Sequence, residues 1–211
     1  MKALVILFFL TLLTTTIHAQ EGSTDENGII VMTGIDHLRP QDGTFYHDGF
    51  LLGIGTDSKQ SFTAFQFRLC YQLLPLDKKE FISILQQSGL VSPNATSVKV
   101  TGDGHRYITA QAGMRIFYPK WFGFFQPYLC AHGGIYHWFG GTTTISGEND
   151  GTGRFSGRLT SKGDTNLSYR FGVGSELRVS KFSLFLEGGY LIVSARGKDP
   201  EFTPLVIGMK F

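Results

Sequence analysis

The chain has 211 residues, of which 42% are hydrophobic and only 17% charged, with 27 Gly and 19 Phe. Such a length suits one domain, and a formal net charge of +2 gives no electrostatic case for a nucleic-acid partner. Abundant Gly and Phe with only two Cys argue against a helical bundle, a disordered chain and a disulfide-stapled domain, and favour many short strands and turns.

At the N-terminus, Lys2 is followed by an apolar run from Ala3 to Leu13, and Ile17-His18-Ala19 precedes Gln20. This layout predicts a secretory signal peptide over residues 1–19, cleaved after Ala19. The apolar run falls short of the roughly 20 residues that a membrane-spanning helix needs. Residues 20–27 (QEGSTDEN) are polar and acidic, which predicts a mobile leader. The folded domain is expected over residues 28–211.

Downstream, apolar residues recur at every second position. Two weaker strands are predicted near Gly28–Asp36 and His47–Gly55. From Ala64 to Leu73, the residues Phe65, Phe67, Leu69, Tyr71 and Leu73 oppose Gln66, Arg68, Cys70 and Gln72. In Tyr107–Phe117, Ile108, Ala110, Ala112, Met114 and Ile116 oppose Thr109, Gln111, Gly113 and Arg115. Phe122–Phe139 sets Leu129, Ala131 and Ile135 against Gln126, Cys130 and His132. Leu167–Val179 sets Tyr169, Phe171, Val173 and Leu177 against Arg170, Glu176 and Arg178. Phe182–Val193 opposes Leu184, Leu186, Tyr190 and Ile192 to Ser183, Glu187 and Gly189. The last strand sets Leu205, Ile207, Met209 and Phe211 against Gly208 and Lys210.

A soluble β-protein would bury these apolar faces, whereas a membrane barrel turns them to lipid and fills its lumen with the polar ones. Runs of about 9 to 11 residues match a tilted transmembrane strand. The polar faces carry many Gly and few Lys, as a narrow interior requires. Aromatics gather at two levels, Trp121, Phe122 and Phe124 at one and Tyr136 and Trp138 at the other, and are read as girdles. Connections alternate in length: 37–46, 75–103, 140–164 and 195–201 are long, while 56–60, 119–120 and 180–181 are short. With both termini periplasmic, every long loop lies outside, as in outer-membrane barrels. The fold class is therefore an all-β, antiparallel, up-and-down transmembrane β-barrel of eight strands.

Together with the signal peptide, the segments QPYLCAHGGIYHW (Gln126–Trp138) and YRFGVGSELRVSKFSLFLEGGY (Tyr169–Tyr190) give the chain its family likeness. It resembles the small OmpA/OmpX and opacity-type barrels of the Gram-negative outer membrane. The ending TPLVIGMKF is similar to the C-terminal signal of that family, with Leu205, Ile207, Met209 and Phe211 as its alternating residues. The resemblance implies outer-membrane lipid and the barrel-assembly machinery as partners, and an outer-membrane location.

Parity assigns Arg68, Arg115, Arg170, Glu176, Arg178 and Glu187 to a lumen ion-pair network, since eight strands leave room only for side chains. Cys70 and Cys130 face inward on the third and fifth strands, about 9 to 10 Å apart, so free thiols are expected. The histidines match no metal-ligand spacing, and no nucleophile–base–acid constellation stands out. Neither an enzyme nor a cofactor is expected. In the long Pro75–Asp103 loop, Phe81, Ile84 and Leu85 share one helical face behind Asp77, which predicts a short helix. The Gly-, Thr- and Ser-rich loop Gly140–Asp164 is expected to stay flexible. Functionally, a structural or surface-interaction barrel with an extracellular ligand at its loops leads. A narrow channel or transporter for small, even apolar, solutes is the alternative.

Overall fold

Residues that alternate between branched or aromatic and polar side chains fit a pleated strand that is lipid-like on one face and packed on the other. In the computed structural model, which describes residues 26–39, 46–102, 104–119, 125–149, 153–179, 182–195 and 200–211, that pattern becomes strand nearly throughout. In chain order the elements are β1 (Glu26–Leu38), β2 (Gly49–Gln60), β3 (Thr63–Leu74), α1 (Lys78–Gln87), β4 (Thr96–Gly102), β5 (His105–Phe117) and β6 (Phe125–Phe139). They continue with β7 (Thr142–Asn149), β8 (Gly153–Thr160), β9 (Asp164–Val179), β10 (Phe182–Ser194) and β11 (Glu201–Lys210).

Eight antiparallel strands close in the order β1-β11-β10-β9-β6-β5-β3-β2, as the alternation predicts. The seam pairs the first strand with the last, from Ile30 opposite Lys210 to Leu38 opposite Phe202. Closure leaves the barrel without a strand edge, so the ladder satisfies its own backbone groups. Odd-numbered residues of β1 face out and even-numbered ones face in, where Ile30, Met32 and Asp36 are buried.

The outward faces form a continuous apolar belt. Ile54 is 55% exposed and Val173 61%, and Ile29, Ile35, Leu52, Phe171, Leu205 and Ile207 are comparable. A patch this large is far beyond what a water-soluble monomer presents, and a bilayer is the solvent that suits it.

The strands differ from the expected spans in one instructive place. Residues 56–60 were expected to turn, yet β2 runs through them and the hairpin reverses at Ser61 and Phe62, with Ser61 at φ 54. Polar Asp57 and Lys59 look like turn residues, but they alternate with Thr56 and Ser58 and point along the lumen face; Asp57 is fully buried. At the other end of the chain map, the expected signal peptide lies outside the described residues. Of the expected leader, Glu26 and Asn27 belong to β1, where they pair with Lys59 and Ser58.

Opposite the end that holds Glu26 and Phe211 sits a cap. Helix α1 begins at Asp77, whose carboxylate accepts from the backbone N–H groups of Lys79 and Glu80. Its Phe81 and Leu85 are buried with Val91, Val100 of β4 and Ile145 of β7, and Phe155 of β8 packs beside them. Strands β4, β7 and β8 form a separate sheet in that order. The segment 140–164 was expected to be flexible; instead most of it is a regular hairpin. Its two apolar anchors are too few alone, and they suffice because a different loop supplies the rest of the small core.

Candidate functional site

The lumen is the place where this chain concentrates buried charge. An inward-pointing ionised side chain on a transmembrane strand has no bulk water, so it must find a partner from another strand. Glu187 of β10 receives two hydrogen bonds from Arg68 of β3, Nη1 to Oε1 and Nη2 to Oε2, each 2.6 Å. Those strands stand four positions apart in the eight-strand ring, so the pair spans the barrel's full width. Arg170 of β9 makes an ion pair with the same carboxylate at 2.8 Å. The Tyr128 hydroxyl donates to Glu187 at 3.1 Å. Gln66 holds the guanidinium of Arg68 from its other side, at 2.7 Å to Nη2, and its oxygen lies 3.1 Å from the His132 ring.

A second hub lies nearer the end of the barrel that holds Glu26 and Phe211. Arg115 of β5 reaches Asp57 of β2 at 2.5 Å and Glu176 of β9 at 3.2 Å. Lys210 of β11 meets Asp57 at 2.8 Å. Its stem passes over Gly28: a Cβ there would lie 2.8 Å from both Lys210 Cγ and Cε, and 2.6 Å from the Phe211 carbonyl oxygen. Glycine at position 28 is thus what lets the last strand's lysine cross the first strand. The Arg115 guanidinium also lies over the Tyr128 ring, 4.8 Å from its centroid.

Among the described residues the buried ions balance: Arg68, Arg115, Arg170 and Lys210 against Asp36, Asp57, Glu176 and Glu187. Uncharged polar residues share the interior with them, among them Gln66, Gln72, Thr109, Gln111, His132 and Ser168, and the rest of the buried inward side chains are apolar. Ile30, Met32, Leu51, Cys70, Phe185 and Val206 make one cluster, lying mostly on the strands either side of the seam. Towards the cap, Leu74, Tyr107, Tyr136, Leu191, Val193 and Phe202 make another. The Tyr107 hydroxyl donates to Asp36 beneath that layer. His105 closes the mouth, stacked on Trp138 with centroids 4.7 Å apart and 2.6 Å from the Tyr136 hydroxyl.

The positions expected from sequence fall out unevenly. Arg68, Arg115, Arg170, Glu176 and Glu187 are buried and brought together in the two hubs. Arg178 is exposed instead: it shares their parity, but it stands one residue from the end of β9, where the lumen opens. Asp57 and Asp36 were missed, the first because it was assigned to a turn and the second because it sits at a predicted strand end. Tyr136 and Trp138 are not girdle residues. Even parity on β6, shared with Cys130 and His132, turns them inward, and Tyr136 is only 3% exposed. Phe50, Tyr71, Phe139 and Tyr169 face outward in the cap half, and Phe62, Tyr118 and Phe211 do so at the opposite end. Trp121, Phe122 and Phe124 lie outside the described residues. Leu205, Ile207 and Phe211 are exposed on the outer face and Met209 is half-buried there. Cys70 and Cys130 are buried free thiols.

Among the described residues, no three metal-ligating side chains come together. The rim histidines find single partners: His37 with Asp48, His47 with Asp77 at 3.1 Å, and His137 with Thr165 at 2.7 Å.

Comparison with solved structures gives several outer-membrane barrels. Neisserial surface protein A aligns with a TM-score of 0.52 at 11% identity, covering 89% of this chain and 98% of that one. The fold is that of an eight-stranded outer-membrane barrel. Ail, the attachment invasion locus protein of Yersinia pestis, aligns with a TM-score of 0.47 at 10% identity, covering 90% and 100%. The N-terminal β-barrel domain of Pseudomonas aeruginosa OprF gives 0.43 at 12%, covering 89% and 100%. No protein-family model matches the chain, and no curated protein does.

Proposed function

We propose that this chain is an exported outer-membrane barrel with a closed lumen, which acts as a structural or surface-interaction protein through its cap. The signal peptide over residues 1–19 carries it across the inner membrane, and the barrel-assembly machinery reads Leu205, Ile207, Met209 and Phe211. Both termini then lie in the periplasm and the cap outside the cell. The observation that carries this reading is the Arg68–Glu187 brace across the full width of the barrel, backed by Arg170 and Tyr128. A barrel plugged at mid-height leaves the ordered cap as the part that can meet a partner.

The alternative, a path for small apolar solutes, draws on two features. One inner wall carries the apolar group around Ile30 and Phe185. An apolar depression of about 540 Å³ opens in the outer wall beside Met114, Ile116, Leu129, Ala131 and Phe171. The first is a packed cluster of buried side chains and the second opens outward, so the closed reading is preferred.

Fractionation tests the placement. The protein should travel with outer membranes and migrate heat-modifiably on gels, and a cysteine at Arg154→Cys should react with an impermeant maleimide on intact cells. Recovery as a detergent-free periplasmic species, or labelling only after lysis, would reject it.

A further inference from the structure

The cap sheet has two edges, β4 and β8, and they are finished differently. An exposed edge presents a row of backbone donors and acceptors, and natural proteins blunt such rows with bulges, charges or cover. Strand β4 is blunted. Its register to β7 shifts between Thr96 and Lys99, Ser97 sits at φ 57, and Lys99 projects from the edge. Strand β8 has no bulge: its positive φ is at its first residue, Gly153, and its two charges, Arg154 and Arg158, lie on one face of the sheet. It pairs with β7 without a break from Thr142 opposite Thr160 to Asn149 opposite Gly153. It contains no proline, and every residue but Phe155 is exposed. At Gly153 and Gly157 a Cβ would meet nothing within 4 Å, so an approaching backbone has open space there.

We propose that β8 is a docking edge that takes an extended acidic segment of another protein as an added strand of the cap. The inference deepens the surface-interaction reading and rests on it. In an antiparallel addition, half of the β8 backbone groups are already aimed away from β7. The incoming ladder supplies the affinity and alternate side chains supply the choice of partner.

Charge sets the choice. Thr144, Ser146 and Glu148 of β7 lie opposite Arg158, Ser156 and Arg154 of β8, and so these share one face, with Lys99 of β4 joining through Ser146. Glu148 is the acidic member among the described residues of that face, and it pairs with Arg154 at 2.9 Å. Arg158 has no ion-pair partner among the described residues. A partner strand carrying carboxylates at the spacing of Arg154 and Arg158 meets both. A second copy centred on Ser156 would set Arg154 against Arg158, like charge opposite like, which disfavours that pairing. The other face presents Phe155 and Leu159, the latter 49% exposed, so uncharged residues at the alternate positions of the partner complete the fit.

The test uses the full-length protein refolded in detergent micelles and synthetic peptides of about ten residues, the length of a long strand. One peptide alternates Thr and Val with Glu at the two positions matching Arg154 and Arg158; a second has Lys at those positions; a third is the acidic peptide with N-methylated backbone amides. Fluorescence anisotropy should show binding of the acidic peptide alone. Arg158→Glu, an exposed change checked for folding by heat-modifiable migration, should weaken it about tenfold and let the Lys peptide bind. Binding that survives N-methylation would overturn strand addition, and equal binding of both charges would overturn the acidic partner. Dimers that depend on Arg158 would replace the partner by a second copy. A surface-exposed, non-conducting barrel that binds no peptide overturns this inference alone, whereas a conducting barrel overturns the reading beneath it.

Discussion

Arg68 and Glu187 meet at the centre of the barrel through two parallel hydrogen bonds, although they come from strands on opposite walls. Both side chains are fully buried, so neither has water to fall back on. The pair therefore works as a cross-brace whose removal is felt by every strand that leans on it.

Glu187→Gln leaves Arg68 and Arg170 facing a neutral amide. Removing one partner of a buried pair costs about 3 to 5 kcal/mol, against about 0 to 1 for an exposed one. Urea unfolding of the refolded barrel, followed by gel migration, should show the large loss for Glu187→Gln and almost none for Glu148→Gln, whose partner Arg154 is exposed. Equal small losses would mean that lumen water screens the hub.

Gly28→Val should impair the barrel far more than Gly141→Val. At position 28 the new side chain collides with the Lys210 stem and the Phe211 carbonyl, while at position 141 it meets nothing within 4 Å. Refolding yield of the two variants measures the difference. Lys210→Ala in the Gly28→Val background removes only the flexible part of the clash, so rescue should be partial. Full tolerance of Gly28→Val would show that the Lys210–Asp57 strap is dispensable.

Much of this architecture was legible in the sequence, because a period of two survives any uncertainty about strand ends. Parity alone places Arg68, Arg115, Arg170 and Glu187 inside. What parity does not supply is depth along the barrel. Arg178 has the inward parity yet lies at the open end of β9, and Asp57 is a core residue hidden in a stretch whose composition imitates a turn. Aromatic clustering points Tyr136 and Trp138 to a girdle, but their parity with Cys130 and His132 turns them inward. The helix of the cap was legible from Asp77 and the face of Phe81, Ile84 and Leu85, but its sheet was not: Ile145 and Phe155 find their partners Phe81, Leu85 and Val100 on a loop many residues away. Non-local packing of that kind leaves no periodic trace.

Asp77 gives the cap a pH dependence with a definite sign. The backbone N–H of Glu80 at the helix start holds its carboxyl below the ordinary 3.8, with the His47 side chain adding to the effect. A carboxyl lowered by folding contributes stability that is complete above its unfolded value and is lost as pH falls through its folded one. Protection factors of the α1 amides, which remove the pH dependence of intrinsic exchange, should therefore hold from neutral pH down to about 4. Below that the α1 amides should lose protection relative to the barrel amides. Asp77→Asn, which still caps but cannot ionise, should flatten this dependence; an unaltered profile would assign the acid sensitivity elsewhere.

Phe211 projects from the outer face beside Ile29 of the seam, with which it exchanges backbone hydrogen bonds at 3.0 and 3.2 Å. Phe211→Ser keeps those bonds and removes only the aromatic ring. Surface levels in cells should fall sharply while refolding from urea into micelles stays near normal, because the ring serves recognition rather than the ladder. Parallel loss in both assays would make Phe211 a stability residue instead.

The account turns on whether the lumen is closed, and planar-bilayer recording of the purified, refolded protein addresses that most directly. With Arg68, Arg170, Tyr128 and Glu187 locked across the barrel, the native protein should give no stepwise ionic current at any applied voltage that the bilayer survives. Discrete, reproducible openings of the native barrel would contradict the closed lumen and make the chain a channel.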